Sequence, residues 1–223
     1  LASNDNVELY CLTATPKSLF DTDHWMNVVP LHKTTNPDYH GWGVNDLKIV
    51  ENDTGTVEGF IHYVLSNHIT EIPAGTKWYI PANRKKTSHG LVRDILLGKG
   101  FAVFVVNGDG LALTLPSDSK KHYIEEKNEE LNIQMRHMYK YYDVGQFPVA
   151  VTGDICVGRG ISIQSPEFMF DFGILSGCAK KAEASQRAGR LKGNIKGWPG
   201  YKPPVVYTTC LLYTSPSPRD REK

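Results

Sequence analysis

Apolar and polar positions along the chain follow two periods, one typical of strands and one of helices. Five short apolar runs indicate buried strands, at residues 77–82, 101–110, 147–153, 169–176 and 204–209. Between them, apolar residues recur at helical spacing over residues 57–69, 87–100, 120–143 and 180–193. Strands that alternate with helices favour a parallel sheet covered on both faces, so the predicted fold class is α/β. In such sheets, ligands gather at the carboxyl ends of the strands.

The helix predicted at residues 87–100 carries explicit start and stop signals. Thr87 or Ser88 is the expected N-cap, and Gly98 or Gly100 is the expected stop. The apolar face is predicted from residues at helical spacing, which are Leu91, Ile95 and Leu96. The turn "NGDG" (107–110), which closes the strand that follows this helix, is assigned no chemistry.

The first part of the chain has a different character. "VELYCLTATP", residues 7–16, reads as a short strand that stops at a Thr-rich turn and a proline. Residues 17–46 are irregular and rich in His, Asn, Pro and Trp, which is typical of a linker or a functional loop. We therefore predict the end of one domain at 1–16, a linker at 17–46, and a second domain at 47–209.

The last fourteen residues, 210–223, differ in kind from the rest. "CLLYTSPSPRD" back-translates codon for codon into a sequence that resembles the transposon-end adaptor used in preparing sequencing libraries. We expect 210–223 to be a translated, non-native tail and exclude it from the fold prediction. The chain also opens on Leu1 without a signal-peptide pattern, so we expect a fragment of a longer gene product.

Composition narrows the class of protein only modestly. The chain has 25 basic and 24 acidic residues, of which three and two lie in the tail, leaving 22 of each. Any basic surface must therefore be local. No cysteine pair has metal-site spacing, which favours a reduced intracellular compartment: cytoplasm, nucleoid, or a host compartment if the gene is viral. No apolar run approaches the ~18 residues of a membrane span, and we expect no membrane partner.

The chain lacks the usual phosphate-binding motif of nucleotide-binding proteins but contains other motifs that occur in them. The phosphate-loop pattern G-x-x-x-x-G-K-[ST] does not occur, and neither does a G-x-S-x-G or an H-E-x-x-H motif. Three other motifs occur in a fixed order: "LTATP" (12–16), "VAVTGDICVGRGISI" (149–163) and "QRAGR" (186–190). Together they resemble motifs III, V and VI of superfamily 2 helicases, the DEAD/DEAH-like class. "KWYIPANRKKTSHGLVRDILLGKGFAVFVVNGDG" (77–110) is similar to their motif IV region, so the resemblance covers residues 7–209.

This resemblance implies a RecA-like C-terminal helicase domain. The expected activity of the intact protein is ATP-dependent helicase or translocase action on nucleic acid, and DNA rather than RNA is the expected partner. ATP with Mg²⁺ would be bound mainly by a missing N-terminal RecA-like domain, and the present chain alone would be inactive.

The resemblance also assigns roles to residues of motif VI. Arg190 would reach the γ-phosphate of ATP, Arg187 would support it, and Gln186 would bond near the cleft between domains. The guanidinium is a rigid fork of donors that fits phosphate oxygens. Without the ordered series of motifs, the same residues would read as a surface helix whose arginines lie over Leu191.

The remaining motifs supply candidate contacts to nucleic acid and to the ATP cleft. Coupling residues implied by the resemblance are Thr13, Thr15, Asp154, Arg159 and Gly160. Candidate contacts with the nucleic-acid backbone are Arg84, Lys85, Lys86, Thr87 and Thr152. Cations just before a helix N-terminus favour phosphate binding, although a solvated basic turn would have the same sequence. Glycines at 153, 158 and 160 would let backbone amides approach a phosphate closely.

One position departs from the family pattern. Many relatives end motif VI with a further arginine, where this chain has Gly193. Lys192 or Lys196 would be a poorer substitute, because lysine lacks the planar fork. Three alternatives stay open: a nucleic-acid-binding module without motor activity, the translocating subunit of a restriction system, and another nucleotide-binding α/β protein.

Overall fold

A computed structural model describes residues 36–41, 47–51, 54–118, 120–123, 129–153, 163–176 and 187–209. The chain divides into two compact units between Thr35 and Asn36, and all of the described residues belong to the second unit. The strands of this part are β1 (Tyr39–His40), β2 (Leu47–Ile49), β3 (Lys77–Tyr79), β4 (Ala102–Asn107), β5 (Gly110–Thr114), β6 (Lys121–Tyr123), β7 (Val149–Gly153), β8 (Phe172–Leu175), β9 (Gly193–Asn194) and β10 (Val205–Thr208). The longer helices are α1 (Val57–Asn67), α2 (Lys86–Gly98) and α3 (Leu131–Tyr141), and a short 3-10 helix spans Val144–Gln146.

The main sheet has eight strands in the order β2-β10-β8-β3-β7-β4-β5-β6. The run from β2 to β4 is parallel throughout, so these strands present their carboxyl ends at a single edge of the sheet. β5 and β6 are antiparallel additions that extend the sheet beyond β4. The predicted α/β fold, a RecA-like and mainly parallel sheet with helices on both faces, is confirmed.

Two hydrophobic clusters, one on each face of the sheet, hold the fold together. On one face, α1 and α2 pack against alternate strand residues such as Trp78, Val103 and Ala150. On the other face, α3 packs together with Ala188 and Leu191 of the motif VI segment. The two faces arise because successive side chains of a strand point to opposite sides. Buried on both sides, the central strands read as continuous apolar runs.

The single long helix predicted over residues 120–143 is wrong. Lys121–Tyr123 instead forms β6, which pairs with β5, and the helix spans only Leu131–Tyr141. β5 itself was missed as well. The polar composition of residues 120–130 favours a helix locally, but pairing with the open edge of β5 overrides that preference at its first residues.

The helix after β3 begins earlier than predicted. Its N-cap is Lys85, which makes no side-chain capping bond, so Thr87 and Ser88 lie inside the first turn. The stop is as expected, since the helix ends at Gly98 and Gly100 follows with a left-handed φ of 84°. Of the residues predicted on the apolar face, Leu96 is buried as expected, whereas Leu91 is 56% exposed and Val92 takes its place in the core.

A two-stranded ribbon joins the predicted linker to the end of motif VI. Tyr39–His40 of the stretch 17–46 forms β1, which pairs antiparallel with Gly193–Asn194 of β9. The hydroxyl of Tyr201 hydrogen-bonds to Nδ1 of His40, and the two rings meet edge to face. The ribbon therefore fixes the backbone that follows Arg190.

Candidate functional site

An exposed basic turn, residues 84–87, comprises the end of the β3–α2 connection and the first two residues of α2, at the carboxyl edge of the sheet. All four side chains of this turn are exposed, namely Arg84, Lys85, Lys86 and Thr87. The turn is held by the residues that follow it. The hydroxyl of Ser88 accepts from the Asn83 amide at 3.1 Å and donates to the Glu58 carboxylate of α1. His89 Nε2 donates to the Asn83 carbonyl at 2.8 Å. These bonds hold the backbone of the turn between Asn83 and the first turn of α2.

Two neighbouring strand ends lie beside this turn. The Ala82 amide donates to the Gly153 carbonyl at 3.3 Å, which joins the end of β3 to the end of β7. Lys86 Nζ lies 2.7 Å from the Asp109 carboxylate, in the turn that follows β4. The Lys86 hydrogen bond and charge lower the pKa of Asp109 from its ordinary value. The basic turn, the beginning of motif V and the β4–β5 turn are therefore neighbours at one edge.

Thr152, a predicted contact for nucleic acid, lies in the interior. Its side chain is fully buried in β7, and its Oγ1 has no hydrogen-bond partner among the described residues. A buried hydroxyl left without a partner costs roughly 1–3 kcal/mol. A direct contact with nucleic acid would require this hydroxyl to become accessible. The role assigned to Thr152 therefore stays a prediction.

The motif VI segment alternates between buried and half-buried residues. Ala188 and Leu191 are buried in the α3-side cluster, whereas Arg187 and Arg190 are half-buried. Only Arg187–Gly189 is helical in the described part of this segment, and the chain turns at Arg190 and Leu191. The segment is thus anchored through its small and apolar residues, with its arginines partly accessible.

Gln164, which sequence reasoning missed, ties the end of motif V to motif VI. Its Nε2 donates to the Arg190 carbonyl at 3.0 Å, and its Oε1 accepts from the Phe170 amide at 3.1 Å. The preceding residue, Ile163, packs in the same cluster as Leu191. The available signal was a glutamine directly after "GISI", a polar residue at the end of an otherwise apolar pattern. Gln164 is a positioning residue for the backbone of Arg190.

Replacing Leu191 with alanine is expected to lower the free energy of unfolding by about 2–5 kcal/mol. Leu191 is 0% exposed, and it fills the space that the absent side chain of Gly173 leaves on β8. Chemical denaturation of the full chain measures the loss. Leu91→Ala is the matched control, because Leu91 is 56% exposed and should change stability by less than about 0.5 kcal/mol. Equal losses in both variants would show that Leu191 does not anchor the segment.

Gly193 has a conformational reason to be glycine. Its φ is +149°, a backbone region that L side chains rarely adopt, and it pairs with His40 in the β1–β9 ribbon. An arginine here would strain the backbone by about 1–3 kcal/mol. The β1–β9 ribbon therefore gives a structural reason for glycine at this position.

Several predicted residues lie outside the described part of the chain. These are Thr13, Thr15, Asp154, Gly158, Arg159, Gly160 and Gln186, together with the whole of residues 1–35, residues 42–46 of the linker and the tail 210–223. The described residues bring the basic turn next to the start of motif V, and the end of motif V next to motif VI. They place α2 and the motif VI segment on opposite faces of the sheet.

Neither the protein-family models nor the curated protein sequences compared with this chain give a match. Any functional assignment therefore rests on the residues and the fold. Within the described ranges, no helix is long and apolar enough to cross a membrane. The same ranges contain no group of three or more His, Cys, Asp or Glu side chains placed to hold a metal ion.

Proposed function

We propose that this chain forms the C-terminal half of an ATP-dependent nucleic-acid helicase or translocase. In this proposal the carboxyl edge of the sheet grips the backbone of a nucleic-acid strand, while the motif VI arginines reach ATP bound by another RecA-like domain. The Mg²⁺ that accompanies ATP would be held mainly by that other domain.

One observation carries the proposal. Two residues that flank positions 154–163 of motif V are hydrogen-bonded to the two candidate sites: Gly153 to Ala82, which leads into the basic turn, and Gln164 to Arg190. A segment attached at both ends is suited to transmit a shift between a nucleic-acid contact and a nucleotide contact.

The chemistry of each end fits its proposed ligand. Arg84, Lys85 and Lys86 stand at a helix N-terminus, where exposed amides and the helix dipole favour an anion. Contacts of this kind read the phosphate backbone and carry no sequence information. At the other end, Arg187 and Arg190 offer forked donors that meet phosphate oxygens two at a time.

Nucleic-acid binding by the chain tests the gripping part of the proposal. Replacing Arg84 and Lys85 together with glutamine should weaken binding of a single-stranded oligonucleotide by about tenfold or more near physiological salt. The plot of log affinity against log salt should become shallower by about 0.7 for each phosphate that the variant no longer neutralises, because fewer counterions are released.

The control replaces two exposed lysines at the opposite edge of the sheet, Lys99 and Lys202, with glutamine. This double variant removes the same net charge, so it corrects for the overall field of the molecule. The proposal fails if both double variants lower the slope equally, or if the unmodified chain does not bind the oligonucleotide at all.

A nucleic-acid-binding module without motor activity is the second candidate function. The observation that favours it is Gly193, whose backbone geometry disfavours the arginine with which many relatives end motif VI. Such a module would keep the salt-dependent binding of the basic turn. In such a module, Arg190 would not act on ATP.

A further inference from the structure

A small cleft lies on the α2 side of the antiparallel extension β4–β5–β6. It has a volume of about 160 Å³ and opens between α2 and the hairpin. Its polar and charged lining comes from four elements, and the residues that matter here are Lys86, His89, Arg93, Asp109, Thr114, Lys121 and Tyr123. Sites for drug-sized ligands are usually about 300–1,000 Å³. This cleft therefore fits a group of the size of a phosphate rather than a whole nucleotide.

The charge of the cleft favours an anion. Lys86, Arg93 and Lys121 contribute three cations, against the carboxylates of Asp109 in the lining and of Asp94 beside Arg93, which leaves a net charge of +1. Lys86 lies 2.7 Å from Asp109, and Arg93 donates to the neighbouring Asp94 at 2.7 Å. Lys121 lines the same cleft on β6, and its charge makes a small further contribution to the lowered pKa of Asp109.

The lining of the cleft retains polar atoms that find no partner among the described residues. Thr114 is 1% exposed, and its Oγ1 makes no hydrogen bond to them. His89 is 3% exposed; its Nε2 bonds to Asn83, while Nδ1 has no such partner. Thr114 shares the α2-facing side of β5 with Ala112, because alternate residues of a strand point the same way. Native proteins rarely leave such atoms unpaired, and a bound group is one explanation for them.

The cleft continues from the basic turn. Lys86 belongs to both, since it is the last cation of the turn and also lines the cleft. Tyr123, which is 55% exposed, lies in the lining on β6. An exposed aromatic ring beside cations is the arrangement on which single-stranded nucleic acids stack their bases.

We propose that this cleft binds a backbone phosphate of a single-stranded nucleic acid, with the adjacent base stacked on Tyr123. The bound nucleic acid would then run from the basic turn, past Lys86, onto the antiparallel strands β5 and β6. This inference rests on the proposed function, because it lengthens the same nucleic-acid path beyond the parallel strands.

The test measures binding of a short thymidine oligonucleotide by the full chain at several salt concentrations. Arg93→Gln and Lys121→Gln should each weaken binding three- to tenfold and lower the salt slope by about 0.7. Tyr123→Ala should weaken binding about tenfold with an unchanged slope, because it removes stacking and not charge. Lys99→Gln is the matched control, since Lys99 is exposed at the far end of α2.

A variant that keeps the helix and fills the cleft separates binding from folding. Gly90 lies on α2 and lines the cleft, and a Cβ built there meets no heavy atom of the described residues within 4 Å. Gly90→Leu should therefore keep or raise the thermal stability, because glycine disfavours helices. It should nevertheless weaken oligonucleotide binding about tenfold.

Each outcome either supports or overturns the proposal that the cleft binds nucleic acid. If the basic-turn variant loses affinity while Lys121→Gln and Gly90→Leu bind normally, this inference is wrong and the proposed function stands. If neither the turn nor the cleft variants change binding, both fail together. A second arm titrates inorganic pyrophosphate: a Lys121→Gln variant that loses pyrophosphate binding but binds the oligonucleotide normally would indicate a site for free phosphate and overturn the proposal.

Discussion

Replacing Gly153 with alanine is expected to destabilise the chain by at least about 4 kcal/mol, a loss large enough to threaten the fold. A Cβ at this position would lie 2.0 Å from the Val106 carbonyl oxygen of the neighbouring strand. The residue also has a φ of +113°, which costs an L side chain about 1–3 kcal/mol by itself. Because the obstacle is backbone, relief requires the ends of β4 and β7 to separate. Native proteins have a total stability of only about 5–15 kcal/mol.

Thermal unfolding measures this effect. For a domain of this size, 4 kcal/mol corresponds to a fall in Tm of roughly 8–16 °C. Gly108→Ala is the matched control. It lies in the turn after β4, where an added Cβ meets none of the described heavy atoms within 4 Å and φ is not positive. We expect that variant to change stability by less than about 0.5 kcal/mol. A Gly153→Ala variant as stable as Gly108→Ala would show that the β4–β7 approach is looser than described.

The result bears on how motif V is interpreted. From the sequence, Gly153 was one of three glycines expected to let amides approach a phosphate. The structure gives it a separate reason, since β4 and β7 approach each other where Gly153 faces Val106. A glycine in a functional motif can therefore be required by packing alone, and only the contacts of its missing side chain separate the two explanations.

The parallel part of the fold was predictable because its strands are buried on both faces. Such strands read as continuous apolar runs, and β3, β4, β7, β8 and β10 all fall within the predicted runs. Their order in the sheet is set by long-range pairing, which no local pattern encodes. Even so, the carboxyl-edge location of the basic turn followed directly from a strand that precedes a helix.

The antiparallel extension was the part that sequence reasoning missed. Its signal was present: "NGDG" joins two apolar runs, and Gly108-Asp109 forms the two-residue loop between paired Asn107 and Gly110. This pattern is a strong hairpin signal. β6, in contrast, is three residues long and partly exposed, so its sequence shows no apolar alternation. It becomes a strand only because β5 offers an edge to pair with.

Within the candidate site, the charged residues could be predicted from the sequence, but the hydrogen bonds that position the site could not. The cations of the basic turn and the arginines of motif VI were identified from sequence, and whether they contact nucleic acid and ATP stays a prediction. The bond between Gln164 and Arg190 depends on how two distant segments pack against β8. Similarly, Ser88 was expected to cap α2, whereas it braces Asn83 and Glu58. The hydrogen-bond partners of these side chains are therefore determined by tertiary packing.

If the proposed function is right, Arg190→Ala should nearly abolish ATP turnover in a protein that joins this chain to a nucleotide-binding RecA-like domain. An arginine brought to the γ-phosphate from a second domain accelerates hydrolysis by roughly 10³–10⁵ through charge stabilisation in the transition state. We therefore expect kcat to fall by roughly this factor, while oligonucleotide affinity changes less than about twofold. Arg190→Lys should restore little, because lysine keeps the charge but lacks the planar fork.

The fold should survive this change, so the loss can be assigned to the side chain. The Arg190 carbonyl that accepts from Gln164, and the Arg190 amide bonded to the Arg187 carbonyl, are both main-chain atoms that alanine retains. Arg136→Ala is the matched control, because Arg136 lies on α3 and its nearest carboxylate is Glu167 at 3.9 Å. A folded Arg190→Ala protein that keeps more than a tenth of its turnover would exclude the arginine as the finger. In that case the nucleic-acid-binding module without motor activity becomes the better account, with Gly193 marking a motif VI that has lost its catalytic role.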